Sequence, residues 1–373
     1  MTRIFYAYRD SPERRRALAA PLEAVERYRL YGLDELRERG HDVRHNLEHG
    51  STPAWARVSG GLAKSGLERA GGYGGDFATV LGSLRAANRA DVVLSTVDTV
   101  GIPLLLTGRS GFLRPPLVYI AIGLPERLAQ LRSERMQRLY ADALSRCAVI
   151  LAYGTREADD LRSWLEERGG SVPVSFVPFG VNTDAFRPSD GVTPEEVVSV
   201  GADPHRDFEL LLEVARAMPS TAFIIVTTAE RARTLPEPPP NVTVETDLPF
   251  ERMRERLARA RVVALPVREN TYSGATTVLL QSLALGKAVV VSRTSAIATG
   301  YGLVDGENCR FVPPGDADAF AKSLGDVLRD WLHARVLGAS GRRLVERELT
   351  WTGYVSRLEE ILVAAAASAR AGS

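Results

Sequence analysis

The chain has only two cysteines in 373 residues, Cys147 and Cys309. They are far apart and in apolar contexts, so they give neither a disulfide framework nor metal-ligand spacing. A reducing, cytoplasmic setting fits. Lysine is almost absent: Lys64, Lys287 and Lys322 stand among many arginines. That imbalance reads as coding bias rather than as a binding signal. Charge of one sign is missing too. A net charge of +1 argues against bulk attraction to nucleic acid. No apolar run is long enough to cross a bilayer. The N-terminus enters a strand directly, without the apolar stretch of a signal peptide. There is no Walker loop and no Ser/His/Asp nucleophile elbow.

What is present is alternation. Residues 3–8 read as a strand, 22–39 as a helix stopped by Gly40, and 41–44 as the start of a second strand. Residues 49–76 are glycine-rich and read as a long loop of the kind that is often functional. Strands follow at 91–95, 117–122 and 149–153, with helices at 124–146 and from Thr155 to about 168. The pattern then repeats, with strands at 197–201, 222–227, 242–245, 262–267 and 288–292. The class is α/β, and the reading is two Rossmann-like doubly wound domains in tandem. The first covers 1–180 and the second 190–350, with a proline-containing hinge near 180–189. A last helix spans 351–366, before an Ala/Ser/Gly tail expected to fray.

The most informative passage is 266–316. A buried strand ends in the polar loop Arg268-Glu269-Asn270-Thr271-Tyr272, which feeds a helix starting at Ser273, Gly274, Ala275, Thr276 and Thr277. Small residues leave the first-turn N–H groups open, and the helix dipole turns its positive end toward the loop. Such a terminus holds a phosphate or diphosphate.

This passage resembles the C-terminal domain of retaining glycosyltransferases of the GT-B fold, family 4 in particular. Two further stretches are similar to that family. One is Val177-Pro178-Phe179-Gly180-Val181-Asn182-Thr183-Asp184-Ala185-Phe186-Arg187-Pro188, which looks like its interdomain hinge. The other is the Asp-Gly-Glu-Asn…Val-Pro-Pro-Gly-Asp run at 305–316. The resemblance implies a metal-independent hexosyltransferase-type enzyme of carbohydrate biosynthesis. It would bind a nucleotide-diphosphate sugar in the second domain, with no cofactor. A small-molecule, glycan or lipid-linked acceptor would sit in the first. The final helix, with the tail to 373, would return to that domain. Hinge closure would bring the loop at 49–76 over the donor.

The chain departs from the family where chemistry is concentrated. Ser273 and Gln281 stand where the resemblance implies two glutamates, one for the donor sugar and one for the ribose. Gln281 keeps the length and can still hydrogen-bond a ribose. Glu269, on the same loop, is the substitute for the sugar contact, against a solvated loop charge as the plain alternative. Near the second domain's first strand, Ala202 replaces an expected arginine, and Arg206 falls near an expected lysine. A guanidinium there would clamp the leaving diphosphate; the plain alternative is a solvent-facing arginine. Arg268 and Arg293 are further candidates. The family's usual Gly-Gly after the first strand and its histidine after the central strand of the first domain are both missing. Asp98, at the carboxyl end of a strand, is read either as an acceptor contact or as a helix cap. These departures leave a second reading open, a degenerate member that binds a nucleotide or a partner without catalysis. Histidines 41, 45 and 49 lie on or beside a strand, too far apart to share a metal. Asp316 and Asp318 open a helix, so N-capping explains them.

Overall fold

The computed structural model describes residues 1–48, 52–188, 196–272 and 274–371. By its contacts the chain divides into two compact units. The first is residues 1–177 with 355–373, and the second is 178–354.

In the first unit the strands are β1 (Arg3–Ala7), β2 (Asp42–His45), β3 (Val92–Ser95), β4 (Leu117–Ala121), β5 (Val149–Ala152) and β6 (Val174–Phe176). Between them run α1 (Pro12–Ala19), α2 (Leu33–Glu38), α3 (Ala54–Arg69), α4 (Phe77–Ala87), α5 (Asp98–Arg109), α6 (Leu124–Ala129), α7 (Glu134–Leu144) and α8 (Thr155–Glu166). The described strands form one parallel sheet ordered β2-β1-β3-β4-β5-β6. β3, β4 and β5 are buried along their whole length. Continuous apolar runs such as Leu117–Ala121 are what a strand covered on both faces requires.

The second unit repeats the scheme with β7 (Glu196–Val200), β8 (Phe223–Thr227), β9 (Val242–Thr246), β10 (Ala260–Leu265), β11 (Ala288–Ser292) and β12 (Arg310–Val312). Its helices are α9 (Phe208–Ala217), α10 (Ala229–Ala232), α11 (Phe250–Arg259), α12 (Thr276–Ala284), α13 (Ala317–Arg329) and α14 (Trp331–Glu348). The sheet order is β12-β11-β10-β7-β8-β9, again parallel. The chain leaves β7 toward β8 and β9, then returns on the other side through β10, β11 and β12. The order therefore reverses between β7 and β10. Loops at the carboxyl ends of those two strands flank the crevice where open α/β sheets take ligands. In the first unit the same reversal falls between β1 and β3.

The final helix, α15 (Trp351–Ala371), begins in the second unit and continues in the first. Val355, Leu358, Leu362, Ala365 and Ala366 are buried at helical spacing. Glu359 pairs with His41 at 2.8 Å, and Arg370 pairs with Asp91 at 2.8 Å. The Ala/Ser-rich stretch past 366 is thus helical to Ala371 rather than frayed. The segment after Pro178 is pinned locally: Val181 N–H donates to Leu349 O, and Trp351 N–H donates to Val181 O. A Cβ on Gly180 would lie 2.5 Å from Thr350 O, so only glycine admits that pairing.

Four local expectations differ from the structure. The helix expected over 22–39 is a 3₁₀ turn, Val25–Leu30, followed by α2. Tyr31 and Gly32 between them are left-handed (φ 54° and 81°), which reverses the chain. The hydroxyls of Tyr6 and Tyr8 donate to Tyr31 O and Leu30 O and hold that reversal. The helix α1 went unread, although Ser11 caps it and Pro12 opens it. The expected helix 124–146 is two, because the chain turns after Ala129 and Ser133 starts a new helix. The expected loop at 49–76 holds the sixteen-residue α3. Its glycines lower helix propensity, but Gly60 lies against α4, where a Cβ would come 2.4 Å from Ala78 N. Close packing that only glycine permits outweighs the propensity.

Candidate functional site

The loop after β10 and the loop after β7 meet at the reversal point of the second sheet. Arg206 pairs with Val267 in an isolated antiparallel bridge, and Arg268 N–H donates to His205 O at 2.8 Å. These backbone bonds dock the loops on each other. α12 then starts at Thr276, with Ala275 as its N-cap and no side chain capping it. Gly274, Ala275, Thr276 and Thr277 therefore sit at an uncapped helix N-terminus, where anions are favoured. Ser273 lies outside the described residues. Thr276 is buried, and its Oγ1, Asn270 Oδ1 and Thr271 Oγ1 are buried atoms without a partner among the described residues. Orphaned polar atoms gathered beside one helix start suit a polar ligand.

A carboxylate stands at this terminus. Asp203 Oδ2 would lie 2.7 Å from a Cβ on Gly274. It accepts from Tyr272 Oη at 2.7 Å, and Asp203 Oδ1 accepts from His205 N–H at 2.8 Å. His205 Nδ1 lies 2.9 Å from Tyr272 Oη. From the sequence, His205 beside Arg206 is a candidate donor contact, with an incidental loop histidine as the plain alternative. Asp203 and Tyr272 have no role there; their only signal is that each follows a buried strand.

Arg206 is 1% exposed, not solvent-facing. Its Nη2 donates to Ser199 Oγ at 3.0 Å, and its Nε packs under Gly201. Nε and Nη1 have no partner among the described residues, and the guanidinium lies 5.7 Å from the Phe208 ring. Burial pulls its pKa down to about 10, with the Asp203 charge opposing. In this state Arg206 is folded back along β7.

The other candidates of this unit are engaged as follows. Glu269 is exposed, and its Oε1 accepts from Ser295 N–H at 2.8 Å. Arg268 binds Glu209 at 2.6 Å and approaches Asp207 at 3.4 Å. Gln281 is buried on the second turn of α12. Arg293 lies over Phe311. Asp316 caps α13 through Ala319 N–H at 2.8 Å, as its position in the sequence suggests.

In the first unit Asp98 is the first residue of α5, with Val97 as N-cap, so it is not a cap. It is buried and accepts from Tyr119 Oη at 2.5 Å and from Arg127 Nε at 2.9 Å. Burial raises its pKa against both bonds. Arg127 also lies 4.0 Å above the Tyr73 ring. Glu157 is also buried in this unit; its Oε1 accepts from Gly123 N–H at 2.7 Å. Burial lifts its pKa to about 8. At the reversal between β1 and β3, Arg14 donates to Thr96 Oγ1 at 3.2 Å and stacks 4.7 Å from the Tyr8 ring. Arg14, Tyr119, Arg127 and Glu157 went unread because nothing local marks them. A concavity of about 360 Å³ opens beside Tyr73 and Thr99, rimmed by Arg57, Lys64, Glu68 and Gly60.

Among the described residues no group of three His, Cys, Asp or Glu is arranged to hold a metal. His41 is taken by Glu359, and His45 lies edge-on to Tyr8. His49 lies outside the described residues. Among the described residues no helix is long and apolar enough to cross a membrane.

Known proteins share this fold and part of this sequence. Residues 195–330, which hold β7 to α13, match the model of the family described as glycosyl transferases group 1. The chain is 27% identical over 220 residues to a GDP-mannose-dependent alpha-(1-6)-phosphatidylinositol monomannoside mannosyltransferase of Mycolicibacterium smegmatis. That alignment takes in 52% of this chain and 57% of the relative's length. Among solved structures, sucrose-phosphate synthase of Thermosynechococcus elongatus superposes with a TM-score of 0.73 at 17% identity, covering 97% of this chain and 98% of that one. Anabaena HepE in complex with UDP and glucose gives 0.67 at 13%, covering 98% and 100%. The fold is that of the GT-B structures, two doubly wound α/β units in tandem. Within it, residues 195–330 match the glycosyl transferases group 1 model.

Proposed function

We propose that the protein transfers a sugar from a nucleotide-diphosphate sugar to a sugar or lipid-linked acceptor. The observation that carries this is the uncapped start of α12 at the reversal point of the second sheet, lined by orphaned polar atoms. The relatives support the donor class. One is named as GDP-mannose-dependent, and HepE is described with UDP and with UDP-glucose.

The diphosphate takes the N–H groups of Gly274 to Thr277, and Gln281 meets the ribose. The sugar lies toward Glu269. The bond from the anomeric carbon to the diphosphate oxygen breaks, and a bond to an acceptor oxygen forms. The acceptor proton leaves with the diphosphate, so no separate base is needed, and the configuration at the anomeric carbon is retained. Rate comes from positioning and from stabilising the departing charge. Residues 1–180 with the end of α15 bind the acceptor, Arg127 contributing to that surface and the buried Asp98 holding Arg127 in place. Catalysis is metal-independent, and the setting is cytoplasmic.

A second reading is nucleotide binding without turnover. It is favoured by Ser273 and Gln281, where the family has glutamates, and by the inward fold of Arg206. One experiment separates the two: UDP- and GDP-sugars are incubated with sugar and lipid-linked acceptors, and free nucleoside diphosphate is measured. Acceptor-dependent release with an axial or equatorial product matching the donor supports transfer with retention. Nucleotide binding without release supports the second reading.

A further inference from the structure

We infer that the Asp203–Arg206 turn is a nucleotide-gated element in which Asp203 serves as the internal stand-in for the ligand's phosphate. The inference rests on the nucleotide reading above and adds two residue roles to it. Three observations converge. Asp203 puts a carboxylate against Gly274 at the uncapped α12 terminus, and Tyr272 Oη and His205 N–H hold it there. A diphosphate brought to that terminus meets like charge beside Gly274, and the two anions compete for the place. Arg206, three residues on, is buried with Nε and Nη1 unpartnered, an arrangement costly for a cation. The two are mechanically joined, because Arg206 N–H donates to Asp203 O at 3.0 Å across the turn.

A single rearrangement resolves both strains. When the phosphate takes the helix N-terminus, Asp203 swings out and the turn opens. Arg206 is then released from beneath Gly201 to meet the diphosphate. The unpartnered guanidinium makes the closed turn metastable, and Asp203 keeps it closed until an anion replaces it. Affinity for the donor is thereby set by the exchange of one anion for another. A ligand shifts such an equilibrium only through its differential affinity for the two states.

The test is calorimetric titration of the full chain with GDP and UDP, for the natural protein and for Asp203→Asn and Tyr272→Phe. Asp203→Asn keeps the shape and the acceptor for His205 N–H, turns the oxygen facing Tyr272 Oη into a donor, removes the competing charge, and should tighten binding about tenfold. Tyr272→Phe loosens Asp203 and should tighten it by less. Hydrogen exchange at the Arg206 amide should speed up on adding the nucleotide that binds. If the natural protein binds and Asp203→Asn binds equally or more weakly, Asp203 is not a stand-in anion, while the nucleotide reading survives. If neither protein binds any nucleotide, both readings fall.

Discussion

Arg206 is a cation that the second unit buries at a loss. Two of its three guanidinium nitrogens lack partners, and its pKa falls to about 10. Arg206→Met fills similar volume without the charge. It should raise the melting temperature, since an unpaired buried charge is among the more expensive features of a fold. The same change should cost about 1.5–3 kcal/mol of nucleotide binding, as expected for one hydrogen bond to a charged group. Paired melting and calorimetry decide the matter. A variant both less stable and equally able to bind makes Arg206 a structural residue only. Glu157 offers a pH test. Its folded pKa, about 8, lies above the ordinary carboxylate value because burial penalises the charge. Between roughly pH 4.5 and 8 the folded state keeps a proton that the unfolded state has released. Its contribution is therefore complete at low pH and is lost as pH rises through 8. Urea unfolding should show a stability decline across this range of order a few kcal/mol. Glu157→Gln should flatten that decline; an identical slope in the variant removes Glu157 as its source.

At the level of elements, α3 shows two neighbouring glycines under opposite constraints. Gly60 touches the backbone of α4, whereas Gly61 has open space around its Cα. Gly60→Ala should therefore destabilise by about 1–3 kcal/mol, through overpacking against Ala78. Gly61→Ala should stabilise by about 0.5–1 kcal/mol, through lower unfolded-state entropy and better helix propensity. Thermal melts of the two single variants give the signs directly. Equal effects of one sign mean that α3 and α4 are not held at this separation in solution.

For the molecule as a whole, the proposed function gives the charge that stabilises a departing diphosphate a local source in the α12 terminus and, if the inferred turn opens, in Arg206. Transfer should accordingly persist in EDTA, measured as nucleoside diphosphate release. Loss of turnover on chelation, restored by magnesium or manganese, would falsify that assignment. The two-unit layout bears on how such a measurement is read. Donor-side variants in 196–316 should alter nucleotide affinity, and changes at Asp98 or Arg127 should alter acceptor dependence instead.

The sequence by itself determined the α/β class, the two repeats, and the strand–loop–helix passage that carries the candidate phosphate seat. Those features depend on local chemistry: apolar runs, small residues and helix-start signals can be read from neighbours in the chain. Three things only the tertiary structure decided. Tyr6 and Tyr8 reach from β1 to hold a left-handed reversal at Tyr31 and Gly32, which breaks a helix that periodicity favours. Gly60 secures a helix in a glycine-rich stretch because α4 lies against it. Asp203 meets Gly274 across about seventy residues, since sheet order sets β7 beside β10. The same order turns Arg206 inward, where its position in the loop had pointed to solvent or ligand. Contacts of that kind arise from strand adjacency, and adjacency in this fold is not adjacency in sequence.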